Sequence, residues 1–319
     1  MAETLLEAAK HFVPIIRVNL DRIDSECQLP SELAEAMAQK GLFGLYVPKC
    51  LGGPEADPIT AFAVVEEISR ADGSAGWCCF NGTALTSAVS RISIEAAKEL
   101  FGDPPDIRGS GSARSGGTAK VTKGGYILDG RWNYLSGVDH AKCLFLNCDL
   151  VDDNGPVLAE NGIPVTRVAV VPLGAGTVIS NWSTMGMRGT ASHDAEYTGL
   201  FVPASHTYSR TEPAVHDGPL WNPQTAILLS WTLAAANALG MARGAMDSFM
   251  ELATAGSTTS TRLLRDRSTV QTTVGECEAM IGAGRSYVLS AVGSMWESQV
   301  AKSPDLMDKA VHARLAIAH

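Results

Sequence analysis

Apolar residues recur with the period of an α-helix through the first hundred residues. The clearest start signal is Asp57-Pro58, because aspartate caps free N–H groups and proline presets φ in the first helical turn. Gly41 stands where another helix should end, since glycine adopts the left-handed cap conformation at little cost. The pattern predicts an N-terminal helical domain, residues 1–105, with helices over 5–18, 33–39, 57–70 and 93–100.

The period changes to two after Pro104-Pro105, and short segments rich in Val, Ile, Thr and Tyr alternate with glycines. Within them, Asp129-Gly130 separates Tyr126 from Trp132. This dipeptide is favoured in tight two-residue hairpin turns, which need φ > 0 at both central positions. We therefore expect a hairpin turn at 129–130 and a central antiparallel β-barrel of six to eight strands, in a domain over 106–215.

Helical periodicity returns at Pro223 and predicts two long helices, over 225–254 and 268–299, and a third from residue 306. The alanine-rich middle of the first indicates close packing against neighbouring helices. We assign residues 216–319 to a C-terminal helical-bundle domain. Because so few helices make an incomplete bundle, we expect that the chain is truncated or that another subunit completes the bundle.

Composition excludes several classes of function. The net charge of −9 argues against a general nucleic-acid binder, which needs a clustered basic surface. The seven cysteines include no CxxC pair, as is typical of reduced thiols in a cytoplasm. No apolar run reaches the length of a membrane span, and no His spacing matches a metal motif. Neither a P-loop nor a Rossmann glycine motif is present.

Candidate chemistry begins at Ser136-Gly137, where the predicted second hairpin strand ends. A hydroxyl here, beside the Tyr134 ring, can bind a ring nitrogen of a cofactor, and Gly137 leaves room for a flat group. The alternative is an ordinary surface hairpin in which Ser136 caps a turn. A second stretch, MGMRGTASHD over 185–194, contains Ser, His and Asp in succession, but neighbours on a strand face opposite sides and cannot form a triad.

Three segments then resemble the acyl-CoA dehydrogenase family: GLFGLYVPKCLGG at 41–53, EEISRADGSAGW at 66–77 and GMRGTASHDAEYTGLFVP at 186–203. The resemblance extends over essentially the whole chain. It implies an α+β architecture: an N-terminal helical domain, a central antiparallel β-barrel and a C-terminal helical bundle. It also implies a flavin, FAD or FMN, and a homotetramer, which the cysteine pattern indicates is cytoplasmic.

Within that fold, the patterns around Ser136 and His193 are similar to those of flavin-dependent monooxygenases, and the dehydrogenases' Glu-Pro segment is replaced by GSGSARSGGTAKV at 109–121. The resemblance implies the oxygenase component of a two-component system, which takes reduced flavin from a separate flavin reductase and uses O2 to hydroxylate a small aromatic or heteroatom substrate. Two alternatives stay open: an acyl-CoA dehydrogenase, although Ser230-Trp231 offer no carboxylate base, and a non-catalytic flavin-binding scaffold.

The resemblance also implies roles for individual residues. Ser136 is the expected partner of flavin N5, and His193 a candidate acid–base. Arg188 is expected either to meet a flavin phosphate or to hold its loop by a salt bridge, and Arg262 either to reach a neighbouring subunit's flavin or to stay solvated. The expected sites comprise catalytic Ser136 and His193, flavin-binding Tyr134, Ser136, Gly137, Arg188, Thr190, Ser192 and Arg262, and a substrate pocket of Trp77, Asn81 and Ser112.

Overall fold

A computed structural model describes residues 3–255 and 263–319, and within them helices precede and follow a central sheet. The predicted helices are confirmed. Asp57 caps its helix as expected, since its Oδ1 accepts hydrogen bonds from the N–H groups of Ile59 and Thr60, both at 3.0 Å. The helices are α1 (Leu5–Val18), α2 (Leu20–Glu26), α3 (Ser31–Gln39), α4 (Pro58–Ala71), α5 (Gly73–Thr86), α6 (Ile94–Phe101), α7 (Ala226–Thr254), α8 (Ser268–Val300) and α9 (Leu306–Ala318).

The sheet has eight strands, the upper end of the predicted number, in the order β6-β7-β2-β1-β3-β5-β8 with β4 beside β3. Its pairs are antiparallel except for β1 and β3, which run parallel. The strands are β1 (Gly109–Thr122), β2 (Gly125–Leu135), β3 (Cys143–Asp152), β4 (Gly155–Pro156), β5 (Thr166–Pro172), β6 (Thr177–Ile179), β7 (His193–Pro203) and β8 (Thr207–Tyr208).

The expected turn at Asp129-Gly130 is wrong, because β2 continues through both residues. The hairpin instead turns between β1 and β2 at Gly124, whose φ is +82°. Gly130 lies where β1 and β2 approach closely, and a Cβ there would come within 2.4 Å of the Gly117 Cα. The pairing of β2 with β7 also shifts register beside Gly130. The glycine permits a close approach of strands and an irregular register instead of a turn.

Small residues let α7 lie directly against α4 and α5. A Cβ on Gly240 of α7 would sit 2.4 Å from the carbonyl oxygen of Glu66 in α4, and one on Gly76 of α5 would sit 2.8 Å from Asn237 Nδ2 of α7. Among the described helices, α7 alone is long and apolar enough to cross a membrane by length and composition. A core helix has the same composition, and the buried residues Leu229, Leu233 and Ala236 of α7 belong to the helical core.

Candidate active site

A cavity of about 380 Å³ opens where α5, α7, the end of β2 and the loop before β7 meet. Its volume lies in the range of small-molecule sites, roughly 300–1,000 Å³. Among the described residues, its lining includes aromatic, thioether, hydroxyl and amide side chains and no carboxylate, imidazole, lysine or arginine. The lining residues are Trp77, Tyr134, Ser136, Trp182, Met187, Thr190, Ser192, Asn237 and Met241.

The end of β2 presents Ser136 to this cavity. Tyr134 has a left-handed φ of +59°, a conformation that costs free energy for a residue other than glycine. Tyr134 is 63% exposed, and its ring packs edge-on against Trp182 with ring centroids 6.3 Å apart. Ser136 follows with its backbone fixed, because Ser110 Oγ donates to the Ser136 carbonyl oxygen at 2.9 Å. The strand end is therefore held in one unusual conformation at the cavity mouth.

The loop before β7 supplies the opposite wall. Two of its residues, Met187 (φ +56°) and Ala191 (φ +44°), also adopt left-handed backbone conformations. Gly189 packs this loop onto α2, since a Cβ there would lie 2.2 Å from Ile23 Cγ2. The Gly137 N–H then donates to the Thr190 carbonyl oxygen at 2.7 Å and ties the loop to the end of β2. Strained backbone is thus concentrated at the cavity, as is common at functional sites.

A continuous row of hydrogen bonds crosses the cavity wall. Trp77 Nε1 lies 3.0 Å from Ser136 Oγ, and Ser136 Oγ lies 2.8 Å from Ser192 Oγ. Ser192 Oγ lies 2.6 Å from Thr190 Oγ1, which donates to the Met187 carbonyl oxygen at 2.9 Å. We name Ser136, Ser192 and Thr190 the hydroxyl chain. The structure thus brings three of the predicted flavin-binding residues and one predicted substrate residue, Trp77, into direct contact.

Asn237 closes the cavity from α7 and is almost fully buried. Its Nδ2 donates to Ser69 Oγ at 2.9 Å and to the Gly73 carbonyl oxygen at 3.1 Å. These bonds fix the amide at the start of α5. Met241, one helical turn further along α7, completes the wall beside Gly73.

His193 is not among the residues that line the cavity, and its expected acid–base role stays a prediction. Its Nδ1 accepts hydrogen bonds from the backbone N–H groups of Asn181 and Trp182, at 3.2 and 3.0 Å. Nδ1 therefore has no proton, and Nε2 faces Ser180 Oγ at 3.3 Å. The ring fastens the loop before β7 to that strand.

Asp194 follows His193 on β7, and Asn181 contacts both residues, because its N–H donates to His193 Nδ1 and its Oδ1 accepts from the Asp194 N–H. Its Oδ2 accepts from Arg131 Nε and Nη2 at 2.9 and 2.7 Å and from Asn133 Nδ2 at 3.2 Å. Burial alone would raise the pKa of this carboxyl, but the hydrogen bonds from Arg131 and Asn181 outweigh it and hold the pKa below its usual value. We call Arg131, Asn133, Asn181, His193 and Asp194 the clamp.

The structure also places two further predicted flavin-binding residues, Gly137 and Arg188, outside the cavity lining. Gly137 packs against His140, because a Cβ on it would lie 2.9 Å from that ring, so the flat group in the direction of its missing side chain is the protein's own imidazole. Burial lowers the pKa of His140 to about 4. Arg188 follows its structural alternative, with Nε bonded to the Asp24 carbonyl oxygen at 2.9 Å and lying 3.3 Å from the Asp24 carboxylate. Arg262 lies outside the described residues.

The remaining two predicted substrate residues lie apart from the cavity lining. Asn81 Nδ2 donates to the Trp77 carbonyl oxygen one turn earlier in α5, and Ser112 Oγ accepts from the Arg114 N–H. Sequence reasoning missed Trp182, Asn237 and Met241, and it singled out Met187 only as part of the segment 185–194. Asn237 had a visible signal, since it is the one amide in an alanine-rich segment that the period places on the buried face.

The geometry suits the ring system of a flavin, which has broad apolar faces and a polar edge. Apolar and aromatic side chains line most of the cavity, and the hydroxyl chain supplies a polar strip at one position. Tyr134, Ser136, Thr190 and Ser192 are the residues that would hold the ring.

Comparisons with known proteins agree with this reading. The acyl-CoA dehydrogenase N-terminal domain matches residues 2–102, and the acyl-CoA dehydrogenase C-terminal domain matches residues 232–319. Together these two parts of one family's pattern account for more than half of the chain.

Individual relatives come from one branch of that family. The indole-3-acetate monooxygenase of Pseudomonas putida is 28% identical over 306 residues, which cover 95% of this chain and 76% of that protein. HsaA, the oxygenase subunit of a flavin-dependent monooxygenase of Rhodococcus jostii, is 29% identical across 75% of this chain and 63% of that protein. XiaF from a Streptomyces species, solved in complex with FADH2 and glycerol, has a TM-score of 0.84 at 27% identity, over 98% of this chain and 80% of that one. The chain therefore belongs to the acyl-CoA dehydrogenase superfamily, in its branch of flavin-dependent monooxygenases.

Proposed function

We propose that this protein is the oxygenase component of a two-component flavin-dependent monooxygenase that hydroxylates a small aromatic or heteroatom substrate. In the net reaction, one oxygen atom of O2 enters the substrate and the other leaves as water. The reduced flavin supplies the two electrons and leaves oxidised. The observation that supports this most directly is the uncharged, aromatic-lined cavity with the hydroxyl chain in its wall.

The chain's own residues have three tasks in this reaction. Trp77, Trp182 and Met241 provide apolar walls that limit access of water to the reacting atoms, and such exclusion suppresses side reactions. Tyr134 flanks the place where the flavin ring fits. Ser136 offers its Oγ to flavin N5, as the resemblance to the family implies, and this assignment is a proposal.

An acyl-CoA dehydrogenase is the second candidate, and the cavity gives it less support. That reaction needs a carboxylate base at the substrate, but no Asp or Glu lines the cavity among the described residues. Ser230, near one expected base position, bonds its own helix at the Ala226 carbonyl oxygen, and Trp231 is half exposed. A scaffold without catalysis would need no strained backbone at the cavity, so the three left-handed residues favour an enzyme.

The proposal also includes a partner protein, a cellular location and an oligomeric state. A separate reductase would deliver the reduced flavin, which is FAD or FMN, and the reduced-thiol pattern of the cysteines fits a cytoplasmic protein. A homotetramer would cover the apolar residues that α7, α8 and α9 expose, because contiguous exposed apolar surface marks interaction sites. These exposed residues include Ile227, Trp231, Met280, Tyr287, Met307, Val311 and Leu315.

Single turnover with labelled oxygen tests the function. The protein is loaded anaerobically with reduced FAD or FMN and mixed with ¹⁸O2 in the presence of phenols, indoles or thioethers. The proposal expects a product that contains one ¹⁸O atom. Recovery of all the oxygen as hydrogen peroxide with every substrate, together with oxidation of an acyl-CoA by flavin-loaded protein, would instead identify the dehydrogenase.

A further inference from the structure

Only one assignment of donors and acceptors along the hydroxyl chain allows all of its hydrogen bonds to form at once. The Met187 carbonyl oxygen cannot donate, so Thr190 Oγ1 must give its single proton to it across 2.9 Å. Thr190 then has no proton left for Ser192, so Ser192 must donate to Thr190. By the same count, Ser136 must donate to Ser192. Each step follows because a hydroxyl has one proton and two acceptor lone pairs.

Trp77, at the other end of the hydroxyl chain, determines how the lone pairs of Ser136 Oγ are used. An indole Nε1–H only donates, so the bond between Trp77 and Ser136 uses one lone pair of Ser136 Oγ. The proton of Ser136 points to Ser192, and one lone pair remains. Towards a ligand in the cavity, Ser136 is therefore an acceptor and not a donor.

We propose that this directed hydroxyl chain makes the protein select reduced over oxidised flavin, with Ser192 and Thr190 as positioning residues for the Ser136 hydroxyl. The inference rests on the proposed function, in which Ser136 meets flavin N5. In reduced flavin N5 bears a proton and can donate to the free lone pair. In oxidised flavin N5 bears none and presents a lone pair, so two acceptors would face each other.

Oxidised flavin can be bound only if the chain reverses. Ser136 would turn its proton to N5, Ser192 would donate to Ser136, and Thr190 would donate to Ser192. The Met187 carbonyl oxygen would then lose the bond from Thr190 and keep the one from Trp182 Nε1 at 3.0 Å. The loss of about one hydrogen bond corresponds to roughly a threefold to tenfold preference for reduced flavin.

The test is the ratio of the dissociation constants of oxidised and reduced flavin, measured anaerobically by the quenching of tryptophan fluorescence. Thr190→Val removes the terminal hydroxyl while keeping the side-chain shape, so that Ser192 can donate to Ser136 and the Ser136 proton is free for N5. The ratio is expected to fall by roughly threefold to tenfold towards no preference. A tenfold fall also lowers the midpoint potential of the bound two-electron couple by about 30 mV, which a redox titration would report independently.

Two matched variants separate proton direction from packing. Thr190→Ser keeps the hydroxyl and should keep the wild-type ratio. Trp77→Phe removes a donor without changing the direction of the chain, so both dissociation constants should change together and their ratio should stay within about twofold.

The outcomes distinguish the two proposals. If the wild-type protein and Thr190→Val have the same ratio of dissociation constants for oxidised and reduced flavin, the directed chain has no role. This inference is then wrong, while the proposed function stands. If wild-type protein binds neither form of the flavin, the proposed function fails and the inference fails with it.

Discussion

Strands β2 and β7 and the loop before β7 hold two polar clusters side by side, and the clusters differ in chemistry. The clamp contains an arginine and a buried aspartate that pair with each other, and a histidine that accepts hydrogen bonds from the backbone of the neighbouring loop. The hydroxyl chain contains no charge, and it is the cluster that faces the cavity. The residue types most often associated with catalysis therefore lie outside the cavity lining here.

The free energy of burying charge explains this division. An ionised group in an apolar cavity is costly unless it is paired, whereas a hydroxyl needs only hydrogen-bond partners. The clamp meets that condition at the sheet surface, where the Arg131 side chain is half exposed. The hydroxyl chain leaves a neutral acceptor in the cavity, which suits a flavin ring more than a charged substrate group.

Ser136→Ala should give the largest functional effect, because it removes the group proposed to bind N5. The fraction of reduced flavin that yields hydroxylated product is expected to fall by roughly tenfold, the equivalent of one strong hydrogen bond. Hydrogen peroxide should rise in proportion. The measurement compares product and peroxide per flavin oxidised, with Ser136→Thr as the control that keeps the hydroxyl. Unchanged coupling in Ser136→Ala would remove Ser136 from the site.

Asp194→Ala should give the opposite result, a loss of stability with little effect on flavin preference. It removes the acceptor for Arg131 and Asn133, so we expect the free energy of unfolding to fall by about 2–3 kcal/mol. Urea unfolding measures this, with Asp194→Asn as a variant that keeps one oxygen acceptor and should lose less. A changed ratio of flavin dissociation constants at unchanged stability would contradict the division between the two clusters.

His193→Ala should weaken the fold by about 1–2 kcal/mol, because two backbone N–H groups lose their acceptor. His193→Asn places a carbonyl oxygen near the position of Nδ1 and should restore part of that loss. Both variants should keep wild-type coupling of flavin oxidation to product. If His193→Asn folds as well as wild type and still loses product formation, the acid–base role regains support.

A pH titration should give the smallest effect. The pKa of Asp194 is lower in the folded protein than the usual unfolded value of about 3.9. Its contribution to stability is therefore complete above pH ~4 and is lost as the pH falls through the lower folded pKa. Wild type should lose stability more steeply than Asp194→Asn below pH ~4, as followed by urea unfolding at several pH values. Equal slopes would show that the carboxylate of Asp194 adds nothing.

The helices were predictable because their signals are local. The cap at Asp57 and the apolar period along α7 each depend on residues within a few positions of one another. The turn was misplaced because Lys123-Gly124 and Asp129-Gly130 lie close together and both are compatible with a turn. The close approach of Gly130 to Gly117, which decides between them, exists only once β1 and β2 have paired.

The cavity was predictable only in part. Ser136, Thr190 and Ser192 stand in two short motifs, and each motif could be recognised by itself. Their contact across the end of the sheet and the arrival of Asn237 from α7 depend on tertiary packing. The hydrogen bonds that His193 accepts from the backbone were not predictable, because residue type indicates what a side chain can do and the fold decides which groups it meets.

A crystal structure of the protein with reduced flavin bound under anaerobic conditions would test the central claim most directly. We expect the flavin ring in the cavity lined by Trp77 and Trp182, with N5 about 3 Å from Ser136 Oγ and the clamp unchanged. A ring bound elsewhere, or one whose N5 faces His193, would contradict the account.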